Sequence, residues 1–257
     1  MPTSSDLHPS NALLASLPGD EYARLARVME RVDMPSRKVL YQQDQLIDRV
    51  YFPNGGACSL VKVMQNRQAA EVAAVGAEGV VGASVFFGES VAECKVLVQM
   101  EGPAAQALRV PAFIAEMERR GALFNIVIRS AQALSLQIQQ TTACNALHRC
   151  EQRCCRWLLA MRDRSESDDL KLTHEFLAMM LGVRRPTVTL VLGVLARAGL
   201  VAPGHHKGVI RILDREGMES ASCECYETIR TQARRLVPRL GDGRERPLLA
   251  ASHPAIH

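Results

Sequence analysis

The sequence has no apolar stretch approaching the roughly 20 residues of a membrane-spanning helix, so a membrane partner is not expected. Its start, Met1 to Asn11, is polar and lacks the basic-then-apolar order of a secretion signal, so a cytoplasmic location is expected. No Cys-x-x-Cys pair occurs. The eight cysteines fall at irregular spacing, and in a reducing compartment they read as thiols rather than as a disulfide framework. A phosphate-cradling glycine loop, a Gly-x-Ser-x-Gly elbow and a His-Glu-x-x-His helix are all missing, and so are internal repeats and low-complexity segments. Scattered Ser, His and Asp residues give sequence no way to assemble a catalytic site. An enzyme is not expected.

Positive charge is also scarce overall: 257 residues carry a net +4, too little to demonstrate a nucleic-acid partner. Its distribution says more. Between Lys171 and Arg215 the basic residues are Lys171, Arg184, Arg185, Arg197, Lys207, Arg211 and Arg215, against Glu175 and Asp214. Such a local excess matches an electrostatic footprint on phosphate, although a solvated basic face has the same composition. With 47% hydrophobic and 23% charged residues, the chain can build one large or two smaller cores.

The texture changes along the chain. Residues 1–11 read as a loose tail. Tyr22, Leu25, Ala26 and Met29 follow Pro18-Gly19 at helical spacing. Short apolar runs at Val39–Tyr41, Val50–Phe52, Cys58–Met64, Ala70–Val75 and Val96–Met100 read as strands. Pro53–Gly56, Gln65–Gln68, Gly76, Gly79, Gly82 and Gly102-Pro103 read as the breaks between them. Closely spaced short strands predict a β-barrel or jelly roll over 12–121, enclosing either a ligand or only side chains. A short helix with Pro111 at its start and Gly121 at its stop closes this region.

Over 122–146, Phe124, Val127, Ala131, Leu134, Ile138 and Thr141 recur at steps of three and four, flanked by Arg129, Gln132, Gln139 and Gln140. So narrow a stripe predicts pairing with an identical helix and hence a homodimer; packing on the protein's own barrel is the alternative. Leu147, Cys150, Cys154, Leu158 and Met161 mark a further helix, which Ser165–Asp169 ends as a polar loop. The region 147–235 is expected to be a separate domain, and 236–257 a disordered tail. The fold class is therefore α+β: an N-terminal barrel, a long dimerisation helix and a C-terminal helical domain with a small hairpin.

That last domain carries the most specific pattern. Thr173 is a good N-cap and Glu175 suits the positive end of the helix behind it. Phe176, Leu177, Met180 and Leu181 bury one face, and Gly182 supplies a turn. The next helix has Pro186 in its first turn and a core stripe of Val188, Val191, Leu192 and Leu195. Two short helices about a glycine turn describe a helix-turn-helix. The outer face of the second helix then holds Pro186, Thr189, Leu190, Gly193 and Arg197, with Arg184 and Arg185 at the N-terminal end that meets base edges. An arginine there offers two donors to guanine, and an outward Leu190 suits a thymine methyl or a partner surface. Residues 199–213 read as a wing hairpin whose Lys207 and Arg211 would touch phosphate.

Barrel, long helix and winged helix-turn-helix in this order resemble the Crp/Fnr superfamily of bacterial regulators, over about residues 12–235. The most specific matches are Leu172-Thr173-His174-Glu175-Phe176-Leu177-Ala178 and Gly182-Val183-Arg184-Arg185-Pro186-Thr187-Val188-Thr189. The resemblance implies double-stranded DNA as a partner, Arg185 as the principal base-reading residue, Thr187 near the DNA backbone, and contact with RNA polymerase. Cys223-Glu224-Cys225-Tyr226 looks like a branch whose effector is generally unassigned.

Two departures from the family pattern matter. Where cyclic-nucleotide-binding relatives place a Gly-Glu and then an Arg-Ser or Arg-Thr pair, this chain has Gly82-Ala83 and Cys94-Lys95. Pairing through Gly88-Glu89 restores the glutamate but supplies no arginine before Arg109. A buried phosphate without a bidentate cation is poorly compensated, so cyclic AMP in its usual pose is not expected; Lys95 offers at most a point charge. With no cysteine before Cys58, the N-terminal iron–sulfur cluster of the oxygen-sensing branch is not expected either.

The remaining cysteines admit weaker readings. Cys150 and Cys154 stand one turn apart near Arg149, Arg153 and Arg156, which could lower a thiol pKa and suit a redox or metal role; both lie on the apolar stripe of their helix, and the reading as small buried hydrophobes is the stronger. Cys223 and Cys225, placed two apart on one helix, point to different faces, and His205 and His206 read as solvent or phosphate contacts. No metal site is expected. The competing function is a ligand-sensing or scaffold module whose winged helix binds protein through Pro186, Leu190 and Gly193.

Overall fold

The computed structural model describes residues 9–203 and 208–236. Two short helices, α1 (Ala12–Ala15) and α2 (Gly19–Ala26), lead into the strands. Asn11, expected in a loose tail, is instead buried. Its carboxamide accepts from the amides of Leu13 and Leu14 and donates to the carbonyls of Pro53 and Gly79, at 2.8 and 2.9 Å. Burial is tolerated because every one of these groups is paired. The rest of that tail, up to His8, lies outside the described residues.

Strands β1 (Glu30–Met34), β2 (Val39–Tyr41), β3 (Arg49–Phe52), β4 (Ala57–Val63), β5 (Ala69–Val75), β6 (Lys95–Met100) and β7 (Gly102–Arg109) form two antiparallel sheets. Their orders are β1-β7-β3 and β2-β6-β4-β5. β1 and β7 have no counterpart in the apolar-run reading. β1, Glu-Arg-Val-Asp-Met, carries three charges in five residues, and β7 opens on the Gly102-Pro103 pair expected to be a break. Pro103 is accommodated because β1 has a register irregularity opposite it, between Val32 and Met34, where no ladder donor is needed.

Helix α3 (Val110–Glu118) starts at Pro111 as expected but does not stop at Gly121. The chain reverses at Arg120, in the left-handed region at φ 52°, and Gly121 becomes the N-cap of α4 (Ala122–Leu147). There follow α5 (Cys150–Ser165), β8 (Asp169–Lys171), α6 (His174–Leu181), α7 (Arg185–Arg197), β9 (Val209–Arg211), α8 (Arg215–Ala221) and α9 (Cys225–Leu236). Asp169, expected to end a polar loop, begins β8. The C-terminal tail beyond Leu236 lies outside the described residues.

Two apolar cores share one sheet. Along β6, Val96 and Val98 point into the barrel with Val50, Phe52 and Phe113, while Leu97 and Met100 point outward and join Trp157, Leu158, Leu177 and Leu192. The period of two along a strand separates Leu97 from Val96 and Val98, and a register shift opposite Ala57 and Cys58 turns Met100 to the outer face as well. Because both faces are covered, Val-Leu-Val-Gln-Met is buried throughout, the continuous run that a doubly covered strand requires.

The α4 stripe is largely spent inside the protomer. Val127 is fully buried and Thr141 6% exposed, which corrects their expected place at a dimer contact. Phe124 meets the Phe86 ring edge-on at 5.8 Å, and Ala131, Leu134 and Ile138 lie along a cavity of the barrel. The pattern was narrow because the barrel offers α4 only a narrow wall.

One buried carboxyl links the two cores. Glu71 on β5 accepts from Trp157 Nε1 of α5 at 2.8 Å and from Ser59 Oγ at 2.5 Å. Burial pushes its pKa up from the ordinary value of 4.5. A folded-state value above the unfolded one means that this group's contribution is fully present below pH 4.5 and is lost as pH rises through the folded value. Glu71→Gln cannot ionise, so its melting temperature relative to that of the unsubstituted protein is expected to climb as pH is raised from 4.5 to neutral. Fluorescence of Trp157, the one tryptophan in the chain, reads the transition; a difference that does not vary with pH would contradict the assignment.

Candidate nucleic-acid interface

Helices α6 and α7 meet at 103°, within the range of a helix-turn-helix. Thr173 caps α6 by accepting from the Phe176 amide at 3.2 Å, so its hydroxyl serves the helix end. Gly182 takes φ 65° and closes α6, its amide reaching back to Ala178 and Met179. α7 then buries Val188, Val191, Leu192 and Leu195 and turns its other face outward.

That outer face holds the expected residues together. Arg184 is the N-cap of α7 and Arg185 its first residue; both are exposed, as are Pro186 and Thr189, and Thr187 is half-buried. Arg184 and Arg197 have no carboxylate within 4.0 Å among the described residues, and Arg185 has Glu175 at 3.9 Å with both side chains mostly in solvent. Screening leaves such a pair worth little, so the tip presents nearly its full positive charge. Thr189 Oγ1 donates to the Arg185 carbonyl at 3.3 Å and lies 3.0 Å from His174 Nδ1. Leu190 is 71% exposed, and Val194, one turn on, is 42% exposed. Together they form an apolar ridge. The sequence reading found Leu190 and missed Val194, whose position borders the core stripe.

The wing keeps the expected pairing and adds a strand to it. Val201 bridges Ile212 antiparallel, the Ala202 amide donates to the Arg211 carbonyl and the Leu213 amide to the Leu200 carbonyl, each at 2.9 Å, and β9 also pairs antiparallel with β8. Arg211 faces Asp169 across that ladder and holds its carboxylate in a two-pronged pair at 2.5 and 2.6 Å. The pair lies on the surface, with the Arg211 side chain 60% exposed, so the guanidinium is shared between this rung and solvent. The Arg211 hydrogen bonds hold Asp169 below the usual carboxylate range. Lys207, His205 and His206 lie outside the described residues.

The expected effector residues divide. Gly82, Ala83 and Cys94 line a cavity of about 420 Å³ between the barrel and α4, with Tyr41, Val72 and Leu134 among its walls. Lys95 is not among the lining residues, and the charged side chain that is belongs to Glu93. Burial pushes the Cys94 thiol up.

The cysteines also separate. Cys154 is fully buried in the second core and pushed well above 9, so it packs as an apolar group, while Cys150 is half-buried on the same helix. Cys223 and Cys225 are not on one helix: α8 ends before Cys223, and Cys225 opens α9. The geometric ground for excluding them as joint ligands therefore fails. Both thiols turn onto Cys144 and His148 at the end of α4, and the four ligand atoms lie within 4.8 Å of one another.

Residues 152–221 match the Crp-like helix-turn-helix domain. The chain has the fold of regulators of the Crp/Fnr family. A transcriptional regulator of the Crp/Fnr family from Eubacterium rectale superposes with a TM-score of 0.61 at 15% identity, covering 81% of this chain and 96% of that one. The c-di-GMP-responsive global regulator CLP of Xanthomonas campestris gives 0.63 at 14% identity, covering 77% and 100%. A CRP/FNR-family transcriptional regulator from Thermus thermophilus gives 0.58 at 22%, covering 75% and 98%. No curated protein matches the sequence significantly. A domain of this family implies regulation through DNA binding. Among the described residues no single helix is long and apolar enough to cross a membrane.

Because a left-handed residue other than glycine costs about 1–2 kcal/mol, Gly182→Ala is expected to destabilise the chain by about that amount. The added Cβ would also meet Ala70 at 3.3 Å. The urea midpoint reads the loss; an unchanged midpoint would show that the turn relaxes freely.

Proposed function

We propose that the protein is a sequence-specific transcription regulator of the cytoplasm that acts by binding rather than by catalysis, as a homodimer on a near-palindromic DNA site. The observation that carries this reading is the cationic tip of α7, with Arg184 and Arg185 exposed on a helix held by its buried face. Side chains at this end of a recognition helix reach base edges in the major groove. Pairing through α4 would bring two such tips to half-sites one helical turn apart; the exposed Leu147 and half-buried Leu134 and Ile138 offer the remaining contact. Contact with RNA polymerase belongs to the same proposal and is supported by the resemblance to Crp/Fnr regulators alone.

The cavity under α4 is the proposed signal site. Its walls carry no cation, so it suits an uncharged, largely apolar ligand and not the phosphate of cyclic AMP. Excess cyclic AMP is expected to leave the melting temperature unchanged; a rise of several degrees would refute this.

DNA fragments selected from a random pool by the purified protein supply the main test. Arg185→Ala is expected to weaken the selected site by about 1–3 kcal/mol, roughly 5- to 150-fold, and to relax preference at one base pair per half-site. Affinity should also fall steeply with salt. The exposed ridge of Leu190 and Val194 favours a second reading, a winged helix that binds protein. In that case Arg185→Ala leaves binding intact and no DNA sequence is enriched.

A further inference from the structure

Three thiols and an imidazole converge where the C-terminal domain joins the long helix. Cys144 and His148 stand one turn apart at the C-terminal end of α4, on the same face. Cys223 and Cys225 flank the turn into α9. Cys144 Sγ and Cys223 Sγ are 3.5 Å apart, and Cys225 Sγ and His148 Nδ1 are 3.6 Å apart. A tetrahedral zinc ion with sulfur ligands at about 2.3 Å separates neighbouring ligand atoms by about 3.8 Å, so closing this set around one ion needs only small shifts. The three sulfurs form a buried cluster apart from both apolar cores; close packing of hydrophobes does not explain it.

The surroundings suit a metal thiolate. His148 Nε2 lies 3.2 Å from Glu224 Oε2, leaving Nδ1 turned to the sulfurs in the arrangement by which a carboxylate orients a ligating histidine. Gln140 Nε2 donates toward Cys225 Sγ at 3.1 Å. Arg156 is 93% buried by area and forms no ion pair within 4.0 Å among the described residues; its charge acts on both Glu71 and Cys144. Three thiolates around a dication carry one net negative charge, which would share in compensating it.

We propose that Cys144, His148, Cys223 and Cys225 bind a structural zinc ion that pins α9 to the end of α4. Four protein ligands leave no open position, so the site is structural rather than catalytic. Binding displaces the three thiol protons to the buffer and involves no redox change. The site spans the joint between α4 and α5, where His148 and Arg149 are extended. It thereby fixes the direction in which the helix-turn-helix leaves the long helix. The inference does not depend on what α7 binds.

The test uses the untagged full chain, reconstituted with zinc under reducing conditions and dialysed. Elemental analysis is expected to give one zinc per chain, and cobalt in its place to give thiolate charge-transfer bands with the strong visible bands of a tetrahedral site. Cys223→Ser and Cys225→Ser are expected to lower zinc affinity at least tenfold, while Cys150→Ser, outside the cluster, keeps full occupancy. In the unsubstituted protein, chelation is expected to raise amide exchange in 140–148 and 223–236. Zinc well below one per chain, retention unaffected by the cluster variants, or iron with cluster absorbance would overturn the proposal. So would a thiol count two short without metal, which would mark a Cys144–Cys223 disulfide.

Discussion

The arrangement depends on one sheet being apolar on both faces. β2-β6-β4-β5 closes the barrel with its inner side chains and gives the C-terminal helices their floor with its outer ones. The second domain is small, and its helices α5, α6 and α7 would leave Leu158, Leu177 and Met180 facing water without that floor. Burying a side chain of this size is worth about 1.5–3 kcal/mol, so a handful of such contacts is comparable to the whole stability of an ordinary domain. The barrel is thus part of the C-terminal domain's core and not a detachable neighbour. Trp157 and Glu71 sit at the centre of this contact, where a half-satisfied polar group would be most costly.

The opposite end of the same domain follows a different logic. A protein selected for stability alone would not leave two arginines adjacent at a helix N-terminus, where the helix dipole is already positive and repels them. Nor would it expose Leu190 and Val194 on one ridge. Both features cost stability in the isolated chain and repay it only against a partner that brings negative charge and small apolar groups, as a DNA groove does with phosphates and thymine methyls. Local strain against local preference is expected at functional sites. Arg211 shows the converse. It also lies within the basic segment, yet the neighbouring strand already gives it a carboxylate partner.

How much was legible follows from where each signal lives. Strands with apolar runs, the glycine turn at Gly182 and the core stripe of α7 are local and were readable to within a residue or two. β1 and β8 were not, because strands rich in charge carry little hydrophobic signal; β7 was hidden by a proline whose tolerance depends on an irregularity in its partner strand. The α4 stripe was read correctly as a pattern and wrongly as to partner at Val127 and Thr141, since periodicity shows that a face is buried but not against what. The cysteine cluster lay furthest from reach. Its members are separated by up to 81 positions, and the argument against it assumed a helix that in fact begins after Cys223.

Long helix α4 is the element on which these parts meet. Its middle, from Ser130 to Gln139, walls the cavity, and its end carries Cys144 and His148 against α9. A ligand in the cavity shifts the protein between arrangements only by the difference in its affinity for them. Contacts to Leu134 and Ile138 supply such a difference only if α4 occupies distinct positions against the barrel. Pinning α9 to the far end of α4 makes that coupling efficient. With α9 free, a shift of α4 would dissipate in the extended joint at His148 and Arg149; with it fixed, the same shift must carry α8, α9 and the helix-turn-helix packed on α5. Rigidity at the joint and compliance at the cavity are therefore complementary requirements, and they fall along the same helix about five turns apart at most.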